Sequence, residues 1–506
     1  MVAKSAQTFE VKNPSTGAVL SELPVFGPDE VQAEVTKART AGRAWAEKTV
    51  AQRCAALWPV TQAIARRTDE LVETIHQENG KVGMDALSLD VGASLLVMNY
   101  FLENGPRILA DEPIRLATAR HRASYLTYRP KGVIGIITPW NFPFFMPAAD
   151  VSMALIAGSA VVLKPSEVTP LSALLLKKCY DEAGVDPDLF RVVTGLGPTG
   201  AALIEAQPDH LVFTGAVATG RRVGVACAER LIPYTLELGG KAPAVVLEDA
   251  DLDRASNAIV WGGFANSGQI CASVERVYAV EPVYDALVQK VTDATLKLTV
   301  GEKGEVGSLT WPRQREIVEA LVADAKQKGA RVMTGGHRTG DPAGLYYAPT
   351  VLADCDHQME VMKAEIFGPV VPMMKVKDAE EALRLANDSH LGLAGYLFTK
   401  DKEQARHFAE RLEVGSVMVN DVLSCAGVPE MPWGGIKHSG LGVVRSDRGL
   451  KELSHARHIN MDRVPPLERD PYWYPYTGPR EKRIRSALKR LFDDSLGGKL
   501  LRKLLA

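Results

Sequence analysis

The chain has 506 residues, of which 46% are hydrophobic and 24% are charged, and its formal net charge is -2. A chain of this length predicts roughly two to four domains with large hydrophobic cores, and the balanced charge excludes a strongly basic field that recruits nucleic acid. The six cysteines form no CxxC pair and have no histidine at metal-ligand spacing, so neither a disulfide framework nor a metal site is predicted.

Two features of the sequence bear on its location in the cell. The N-terminal residues 1–7 contain no apolar core of a secretory signal. No apolar run approaches the roughly twenty residues that a membrane span requires. Unpaired cysteines are typical of a reducing compartment. We therefore expect a cytoplasmic protein, with membrane association left open by the tail described below.

The apolar periodicity changes character along the chain. Residues 28–105 predict helices, because Leu57, Val60 and Ile64 recur at helical spacing among similar residues. Residues 113–130 alternate near period two, which predicts a strand or hairpin. Short apolar strands then alternate with helices, and a second alternating unit runs from residue 244 to about residue 420. The predicted strands are 132–137, 160–165, 190–193, 210–213 and 244–247, with a helix at 170–184.

Strands that alternate with helices imply parallel sheets with helices on both faces. The fold class is therefore predicted as α/β, with two doubly wound parallel-sheet domains.

The C-terminal residues 463–506 differ from the rest in composition. An aromatic, proline-broken stretch at 470–476 precedes a basic segment in which, from Arg480 onward, nine Lys or Arg residues oppose three acidic ones. Ile484, Leu488 and Leu491 fall on one helical face. A basic amphipathic end is typical of a segment that lies on an anionic membrane surface. A terminal helix docked on its own or a neighbouring subunit is the alternative.

Cys271 and Glu237 are the candidate reactive residues. Cys271 can form a thioester, and the carboxylate of Glu237 can activate the water that hydrolyses it. The pair therefore predicts covalent oxidation of a carbonyl compound, with an activated thiolate at Cys271. A lone cysteine is more often a small core residue, so the remaining motifs must support this interpretation.

Turns that follow predicted strands indicate a dinucleotide site. The run around Gly197 approaches GxGxxG but lacks its simple form. Residues 213–220 follow a strand and open a helix, whose first amides can face a pyrophosphate. Lys164 and Glu167 follow another strand. A carboxylate there accepts hydrogen bonds from ribose hydroxyls and repels a 2′-phosphate, which favours NAD over NADP.

Asn141 follows a buried strand in the run PWNFP at 139–143. Its amide, with the backbone N–H of Cys271, could hold the oxygen of a tetrahedral adduct, and one such donor is typically worth about 3 to 4 kcal/mol. An ordinary turn residue is the alternative interpretation.

These runs, in this order, resemble the aldehyde dehydrogenase superfamily from about Val11 to Asn460. The eight runs are NPSTG (13–17), PWNFP (139–143), KPSE (164–167), FTG (213–215), ELGGK (237–241), GQIC (268–271), EIFGP (365–369) and PWGGIKHSG (432–440).

The resemblance implies a domain organisation and an assembly. It implies a dinucleotide-binding domain at 1–112 and 131–239, a catalytic domain at 240–440, and a small β flap for oligomerisation at 113–130 and 453–462. Residues 463–506 remain as the tail. It further implies a homodimer or homotetramer, NAD as cofactor with NADP as the alternative, and a small-molecule aldehyde as substrate.

The resemblance also implies site residues. Cys271 is the nucleophile, Glu237 the general base, and Asn141 part of the oxyanion hole. The implied cofactor-binding residues are Thr138, Pro139, Trp140, Lys164, Glu167, Gly197, Phe213, Thr214, Gly215, Ala216, Gly220, Leu238, Glu365 and Phe367. The implied substrate residues are Phe142, Met146, Ile270, Ala272 and Trp433.

Three positions depart from the family pattern. Ala216 stands where the family usually has Ser, which removes one phosphate hydrogen bond worth about 1 kcal/mol. Trp433 replaces a Phe but keeps an aromatic wall. Ala149 stands where several members have a bulky or charged residue, which predicts a roomy tunnel.

The apolar segment 142–149 should line the substrate tunnel and contains no Arg or Lys. Semialdehyde acids require a cation, so neutral apolar aldehydes are favoured. Cys425 could be a second thiol near the tunnel mouth, although a packing role is favoured. Two further alternatives remain: a CoA-acylating semialdehyde dehydrogenase, against which Glu237 argues, and a non-catalytic binding protein on the same fold.

Overall fold

The computed structural model describes residues 7–117, 119–465, 468–470 and 473–505. The strands are β1 (Thr8–Lys12), β2 (Val19–Pro24), β3 (Glu112–Ile114), β4 (Arg122–Pro130), β5 (Val133–Ile137), β6 (Ala160–Lys164), β7 (Phe190–Val192), β8 (His210–Thr214), β9 (Tyr234–Glu237), β10 (Ala242–Val246), β11 (Val274–Val280), β12 (Arg331–Thr334), β13 (Thr350–Ala353), β14 (Val370–Val376), β15 (Leu391–Gly392), β16 (Ala394–Phe398), β17 (Ser416–Val419), β18 (Ile436–Lys437), β19 (Gly440–Leu441) and β20 (Ser454–Asp462).

The helices connect and cover these strands. They are α1 (Pro28–Ala46), α2 (Val50–Arg66), α3 (Thr68–Asn79), α4 (Gly83–Asp85), α5 (Ala93–Ile108), α6 (Phe145–Ile156), α7 (Leu171–Glu182), α8 (Gly197–Glu205), α9 (Val217–Glu229), α10 (Leu252–Phe264), α11 (Glu281–Thr295), α12 (Pro312–Gln327), α13 (Ala379–Asn387), α14 (Lys402–Arg411), α15 (Ser424–Gly427), α16 (Ser446–Glu452), α17 (Gly478–Leu491) and α18 (Leu496–Leu505).

A six-stranded sheet has the order β19-β9-β8-β5-β6-β7, in which β5 to β9 run parallel. Every residue of β6 is buried, as expected for a strand covered on both faces. The chain passes from β5 to β6 and β7 on one side and returns to β8 on the other. The topological switch point therefore lies beside β5, where open α/β sheets bind their ligands.

A seven-stranded sheet has the order β12-β13-β14-β11-β10-β16-β17 and is parallel except at β12. The polypeptide runs from β9, the last parallel strand of the first sheet, through the turn at 238–241 into β10. The two wound sheets confirm the predicted α/β class.

The described residues group into two compact units. Residues 7–108 and 130–454 form the first unit, which contains both large sheets. Residues 109–129 and 455–505 form the second, which contains most of the three-stranded sheet β20-β4-β3 together with α17 and α18. Within it, Arg122 forms an ion pair with Asp462 at 3.1 Å and with Asp470 at 3.0 Å. The division of the first unit at residues 239 and 240 stays a prediction, as does the oligomerisation role of the flap.

One continuous helix, Gly83–Ile108, is long and apolar enough by length and composition to cross a membrane. The expectation that no segment approaches this length was therefore wrong, because the helix continues through a π-helical turn, Ala86–Gly92. Asp90 inside it is fully buried, pairs with Lys81 and accepts the backbone N–H of Phe145 at 2.9 Å. With Phe101 also fully buried, the segment serves as a core helix of the first unit.

Candidate active site

The loop that carries Cys271 has an unusual backbone. Asn266 and Ser267 adopt left-handed conformations with φ of 49° and 55°, followed by Gly268 at 72°. Asp85 accepts the backbone N–H of Asn266 at 2.8 Å, and the Ser267 hydroxyl donates to Gly307 O at 3.0 Å. A Cβ at residue 268 would lie 2.2 Å from the carbonyl oxygen of Gly368. Strained backbone of this kind persists only where its surroundings hold it, so the loop presents Cys271 rigidly.

Cys271 is partly exposed, whereas the other five cysteines are buried. Its surroundings do not favour a thiolate: burial, Glu237 and Glu365 raise the pKa of its thiol to about 12, and Arg445 acts in the opposite direction. The activated thiolate predicted at Cys271 stays a prediction, and the carboxyls around the thiol act against it in this geometry. Cys271 needs a nearby proton acceptor and a compensating positive charge before it can attack.

Glu237 ends β9 and is only 4% exposed. Both of its carboxyl oxygens are buried without a hydrogen-bond partner in the part of the chain that the structure describes. Burial raises its pKa well above the usual range, while Arg445 opposes the shift. An unpartnered buried carboxyl is costly. Such a group with a shifted pKa in a cleft is suited to proton transfer.

Asn141 is brought to the Cys271 loop by a hydrogen bond from its side-chain amide to Gln269 O at 2.9 Å. Its backbone carbonyl accepts from Asn266 Nδ2 and from Lys81 Nζ, both at 2.9 Å. One amide N–H of Asn141 is thus used on the loop two residues before Cys271, which leaves the second for a substrate oxygen. The oxyanion role stays a prediction.

The carboxyl ends of β5, β6 and β8 carry features that fit a dinucleotide. The Thr138 hydroxyl is buried without a partner among the described residues. Lys164 Nζ lies 2.9 Å from Glu167 Oε2, and Glu167 remains partly exposed. Ala216, which follows Thr214 and Gly215, is the N-cap residue of α9 and forms no side-chain hydrogen bond to the first turn of that helix. The N-cap residue of α8 likewise forms no side-chain hydrogen bond. Gly197 is the first residue of α8. Uncapped helix amides are suited to phosphate groups.

Some of the predicted cofactor residues pack their side chains into the hydrophobic core, away from the carboxyl ends of β5, β6 and β8. Phe213 and Leu238 are buried in one hydrophobic cluster with Leu236 and Val223. A Cβ at Gly220 would lie 2.4 Å from Leu238 Cδ2, so this glycine permits close packing of α9 onto the end of β9. These side chains serve the core.

The loop at 365–367 meets the loop after β5. The rings of Trp140, which follows Pro139, and Phe367 stack edge to face with centroids 5.3 Å apart. Glu365 accepts the N–H of Gly240 at 3.0 Å, and burial raises its pKa to about 8. The N–H of Phe367 donates to Glu275 at 2.7 Å.

Glu275 itself is held by a buried ion pair with Lys241 at 3.0 Å. The sequence reasoning missed this anchor, which fixes the position of the 365–367 loop.

The predicted substrate residues divide into two groups. Phe142, Met146 and Ile270 are largely buried, and Phe142 packs edge to face with Phe145. Ala272 is fully buried, with its carbonyl accepting the Tyr396 hydroxyl at 2.6 Å. Trp433 is also enclosed and pairs with Val444 through its backbone. Ala272 and Trp433 are therefore the least exposed of the five predicted substrate residues.

Sequence reasoning missed Asp150 and Arg445. Asp150 is 9% exposed on α6, one turn from Met146, and Arg445 is 2% exposed just before α16. The guanidinium of Arg445 lies 4.5 Å from the ring centroid of Phe145. A cation therefore reaches the apolar segment 142–149 from a distant part of the chain. The available signal was the carboxyl of Asp150 within an otherwise apolar helix. A carboxyl buried in such a helix needs a positively charged partner, so it indicated that a cation lies nearby.

Comparison with known proteins places this site in a family. The model of the aldehyde dehydrogenase family matches residues 1–459. A 4,4'-diapolycopene aldehyde oxidase from Methylomonas sp is 37% identical over 97% of this chain and 92% of its own length. The mitochondrial succinate-semialdehyde dehydrogenase of Arabidopsis thaliana is 36% identical over 90% of this chain and 86% of its own.

Solved structures agree with this. The crystal structure of an NAD-dependent aldehyde dehydrogenase from Sinorhizobium meliloti superposes with a TM-score of 0.87 at 34% identity, covering 91% of this chain and 92% of that one. A betaine aldehyde dehydrogenase from Staphylococcus aureus, solved in complex with NAD+, superposes with a TM-score of 0.86 at 28% identity. The match covers 93% of this chain and 94% of that one. The chain belongs to the aldehyde dehydrogenase family.

Proposed function

We propose that this aldehyde dehydrogenase oxidises a neutral, apolar aldehyde to the carboxylic acid. The aldehyde forms a covalent intermediate on Cys271, and Glu237 activates the water that hydrolyses this intermediate. The observation that carries the proposal is the pairing of a partly exposed cysteine with a buried carboxyl that has no hydrogen-bond partner in the described chain. A CoA-acylating reaction needs no base for water, so Glu237 argues against it.

The residues divide the work. Cys271 Sγ forms a bond to the aldehyde carbon, and the resulting oxyanion is held by the Asn141 amide and the backbone N–H of Cys271. The Cys271 thiol has lost its proton when this bond forms. The oxyanion then collapses as the C–H bond breaks, which leaves a thioester; a nicotinamide cofactor, when bound, would supply the acceptor for that hydride. Glu237 then takes a proton from water as the water oxygen attacks the thioester carbon. The C–S bond breaks, the acid leaves, and Cys271 is regenerated.

NAD is the proposed cofactor, with NADP as the alternative. The residues that would hold it are Thr138, Lys164 and Glu167, together with the backbone amides at the N-termini of α8 and α9. The partly exposed carboxyl of Glu167, beside Lys164, suits ribose hydroxyls and repels a 2′-phosphate.

The substrate class follows from α6. All twelve residues of this helix are buried, and apart from Asp150 its side chains, with those of Phe142 and Phe144, are apolar or small. The guanidinium of Arg445 near this segment interacts electrostatically with the buried carboxyls of Asp150 and Glu237, so we assign its charge to the protein's own carboxyls. The relatives' names include both a diapolycopene aldehyde and succinate semialdehyde, and α6 favours the apolar alternative.

A panel of aldehydes tests this assignment. We expect kcat/KM to rise along a series of straight-chain aldehydes, because each buried methylene contributes about 0.8 kcal/mol. Four added methylenes then correspond to roughly a hundredfold. The measurement is the absorbance of the reduced nicotinamide, with succinate semialdehyde as the charged comparison. A higher kcat/KM for succinate semialdehyde than for an uncharged aldehyde of equal length would contradict the apolar assignment.

We further propose a homodimer or homotetramer assembled through the β flap. β20 is a nine-residue edge strand that is mostly exposed. Exposed edge strands are ready templates for pairing with another chain. Sedimentation equilibrium distinguishes these assemblies from a monomer.

We propose that the C-terminal helices contact an anionic membrane surface from the cytoplasmic side. Phe492, Leu496, Leu500 and Leu501 are exposed on and before α18, and Trp473 and Tyr474 are exposed ahead of α17. The nine basic residues from Arg480 onward accompany this apolar face. Apolar and basic faces on one segment are typical of helices that lie in the lipid interface.

Charge reversal tests the membrane contact. We expect K482E/K489E/K499E to reduce binding to vesicles of anionic lipid by at least roughly a hundredfold, because each basic residue near such a surface contributes about 1 kcal/mol and each new glutamate is repelled by it. Co-sedimentation is the measurement, and vesicles of zwitterionic lipid are the control. Equal binding of the variant and the original protein to anionic vesicles would refute the contact, and a docked terminal helix would then be the better interpretation.

A further inference from the structure

Residues 79–90, here called the support segment, form hydrogen bonds to two loops of the proposed site. Asn79 Nδ2 donates to Trp140 O at 2.8 Å, in the loop that follows β5. Asp85 accepts the backbone N–H of Asn266 at 2.8 Å, in the loop that precedes β11. One stretch of chain therefore contacts both the loop with the proposed oxyanion donor and the loop with the proposed nucleophile.

Lys81 is a fully buried lysine of the support segment. Among the described residues, its ammonium group contacts a carbonyl, a carboxylate and an aromatic ring. Its Nζ donates to Asn141 O at 2.9 Å, forms an ion pair with Asp90 and lies 4.3 Å from the ring centroid of Phe142. A buried ammonium stays beside its carboxylate, because separation would leave both charges uncompensated. The carbonyl of Asn141 is therefore bound by a charged donor that is itself fixed.

Asp90 connects this ammonium to the start of α6. One of its carboxylate oxygens pairs with Lys81, and the other accepts the backbone N–H groups of Phe144 at 3.3 Å and Phe145 at 2.9 Å. A carboxylate is favourable at the N-terminus of a helix, where free amides and the helix dipole attract it. Asp90 lies in the π-helical turn Ala86–Gly92, and such turns frequently occur at functional sites. The ion pair thus joins the oxyanion loop to the helix proposed to contact the substrate.

Asn141 is bound at both its backbone and its side chain. Its carbonyl accepts from Lys81 Nζ and from Asn266 Nδ2, both at 2.9 Å. Its own Nδ2 donates to Gln269 O at 2.9 Å. An asparagine amide carries two N–H donors, so fixing the backbone and one donor also fixes the direction of the second. A donor that is fixed before the reaction needs no reorganisation when an oxyanion forms.

We propose that Lys81 and Asp90 are positioning residues for the oxyanion contact of the proposed reaction. Lys81 holds the carbonyl of Asn141 and so sets the amide that receives the oxyanion, while Asp90 ties Lys81 to the start of α6. Both residues act through Asn141 and not on the substrate itself. The inference rests on the proposed function, because Asn141 has an oxyanion to hold only if Cys271 attacks a carbonyl carbon.

The test uses p-nitrophenyl acetate, an activated ester whose attack by Cys271 also passes through a tetrahedral oxyanion. The bond from Sγ to the acyl carbon forms, the C–O bond to p-nitrophenolate breaks, and the thiol proton passes to the buffer. No hydride leaves, so this reaction requires no hydride acceptor. Absorbance of the released p-nitrophenolate gives the rate constant of acylation, and mass spectrometry locates the acetyl group on Cys271.

A double-mutant cycle with Asn141 provides the decisive comparison. Lys81→Met/Asp90→Asn removes both charges together, so no uncompensated charge remains buried, and asparagine still offers an oxygen to the N–H of Phe145. We expect this variant to slow acylation by at least about tenfold, because a small misplacement of a reacting group can cost up to about a hundredfold. Asn141→Ala keeps the carbonyl that Lys81 binds but lacks the amide. In that background we expect the same two substitutions to slow acylation by less than about threefold.

Two controls separate positioning from general damage to the site. Alkylation of Cys271 by iodoacetamide displaces iodide without forming an oxyanion, so its rate should change by less than about threefold in Lys81→Met/Asp90→Asn. Lys177→Met makes the same lysine substitution at an ion pair with Asp181 on α7 and should leave acylation unchanged.

The outcomes distinguish this inference from the proposed function. Equal slowing of acylation in the original and Asn141→Ala backgrounds would overturn the inference, as would alkylation slowed as much as acylation. If Lys81→Met/Asp90→Asn fails to fold, as judged by circular dichroism, Asp90→Asn alone is carried through the same cycle with the same criterion. If Asn141→Ala reacts as fast as the original protein, the oxyanion role is refuted and this inference with it. Coupled acylation without any aldehyde turnover would refute the proposed oxidation alone.

Discussion

We expect the replacement of Cys271 with alanine to abolish aldehyde oxidation and to preserve the fold. Loss of the sulfur removes the atom that we propose bonds the aldehyde carbon, so we expect kcat to fall by at least about 10⁴-fold. Cys271 sits on a loop and is partly exposed, so its removal should change the free energy of unfolding by less than about 1 kcal/mol. Absorbance of the reduced nicotinamide measures the turnover, and thermal unfolding measures the stability.

Cys425→Ala is the matched control for this variant. Cys425 also acts electrostatically on Cys271, but it is buried and its pKa is raised to about 12. Its loss should leave kcat within a few-fold of the original value. Turnover that survives in Cys271→Ala but disappears in Cys425→Ala would transfer the nucleophile to the second thiol.

The sequence predicted the strands of the first sheet closely because their signal is local. The expected strands at 132–137 and 160–165 match β5 and β6 within one residue at each end. Strands covered on both faces are short apolar runs, which can be recognised without knowledge of their neighbours. The convergence of Asn141, Glu237 and Cys271 could also be anticipated, since each follows or ends a strand or lies in a motif of the family.

Other parts of the site depend on contacts that no local pattern reveals. Asp150 and Arg445 are separated by almost 300 residues of chain and interact only because the fold brings the start of α16 to α6. The left-handed backbone of Asn266 and Ser267 is imposed by Asp85 and Gly307. The raised pKa of the Cys271 thiol likewise reflects burial and neighbouring carboxyls, which the motif around this residue does not reveal. Tertiary proximity and desolvation were the missing information.

Replacing Glu237 with glutamine should separate the two halves of the reaction. Glutamine keeps the shape of the side chain but cannot accept a proton, so hydrolysis of the thioester should slow by roughly 10² to 10⁴-fold. Attack by Cys271 should continue, because the carboxyl of Glu237 raises the thiol pKa and its removal favours the thiolate. We therefore expect a burst of reduced nicotinamide equal to one equivalent per active site, followed by a slow steady rate. Intact-protein mass spectrometry should find the acyl group on Cys271.

Glu452→Gln provides the comparison for that experiment. Glu452 also raises the pKa of Glu237, but it is partly exposed and paired with Arg448. Its replacement should leave the steady rate within a few-fold of the original and give no accumulated acyl-enzyme. A steady rate in Glu237→Gln within tenfold of the original would mean that another group activates water. Asp150, a buried carboxyl whose pKa Arg445 lowers, would be the first candidate, and the double variant Glu237→Gln/Asp150→Asn would decide between them.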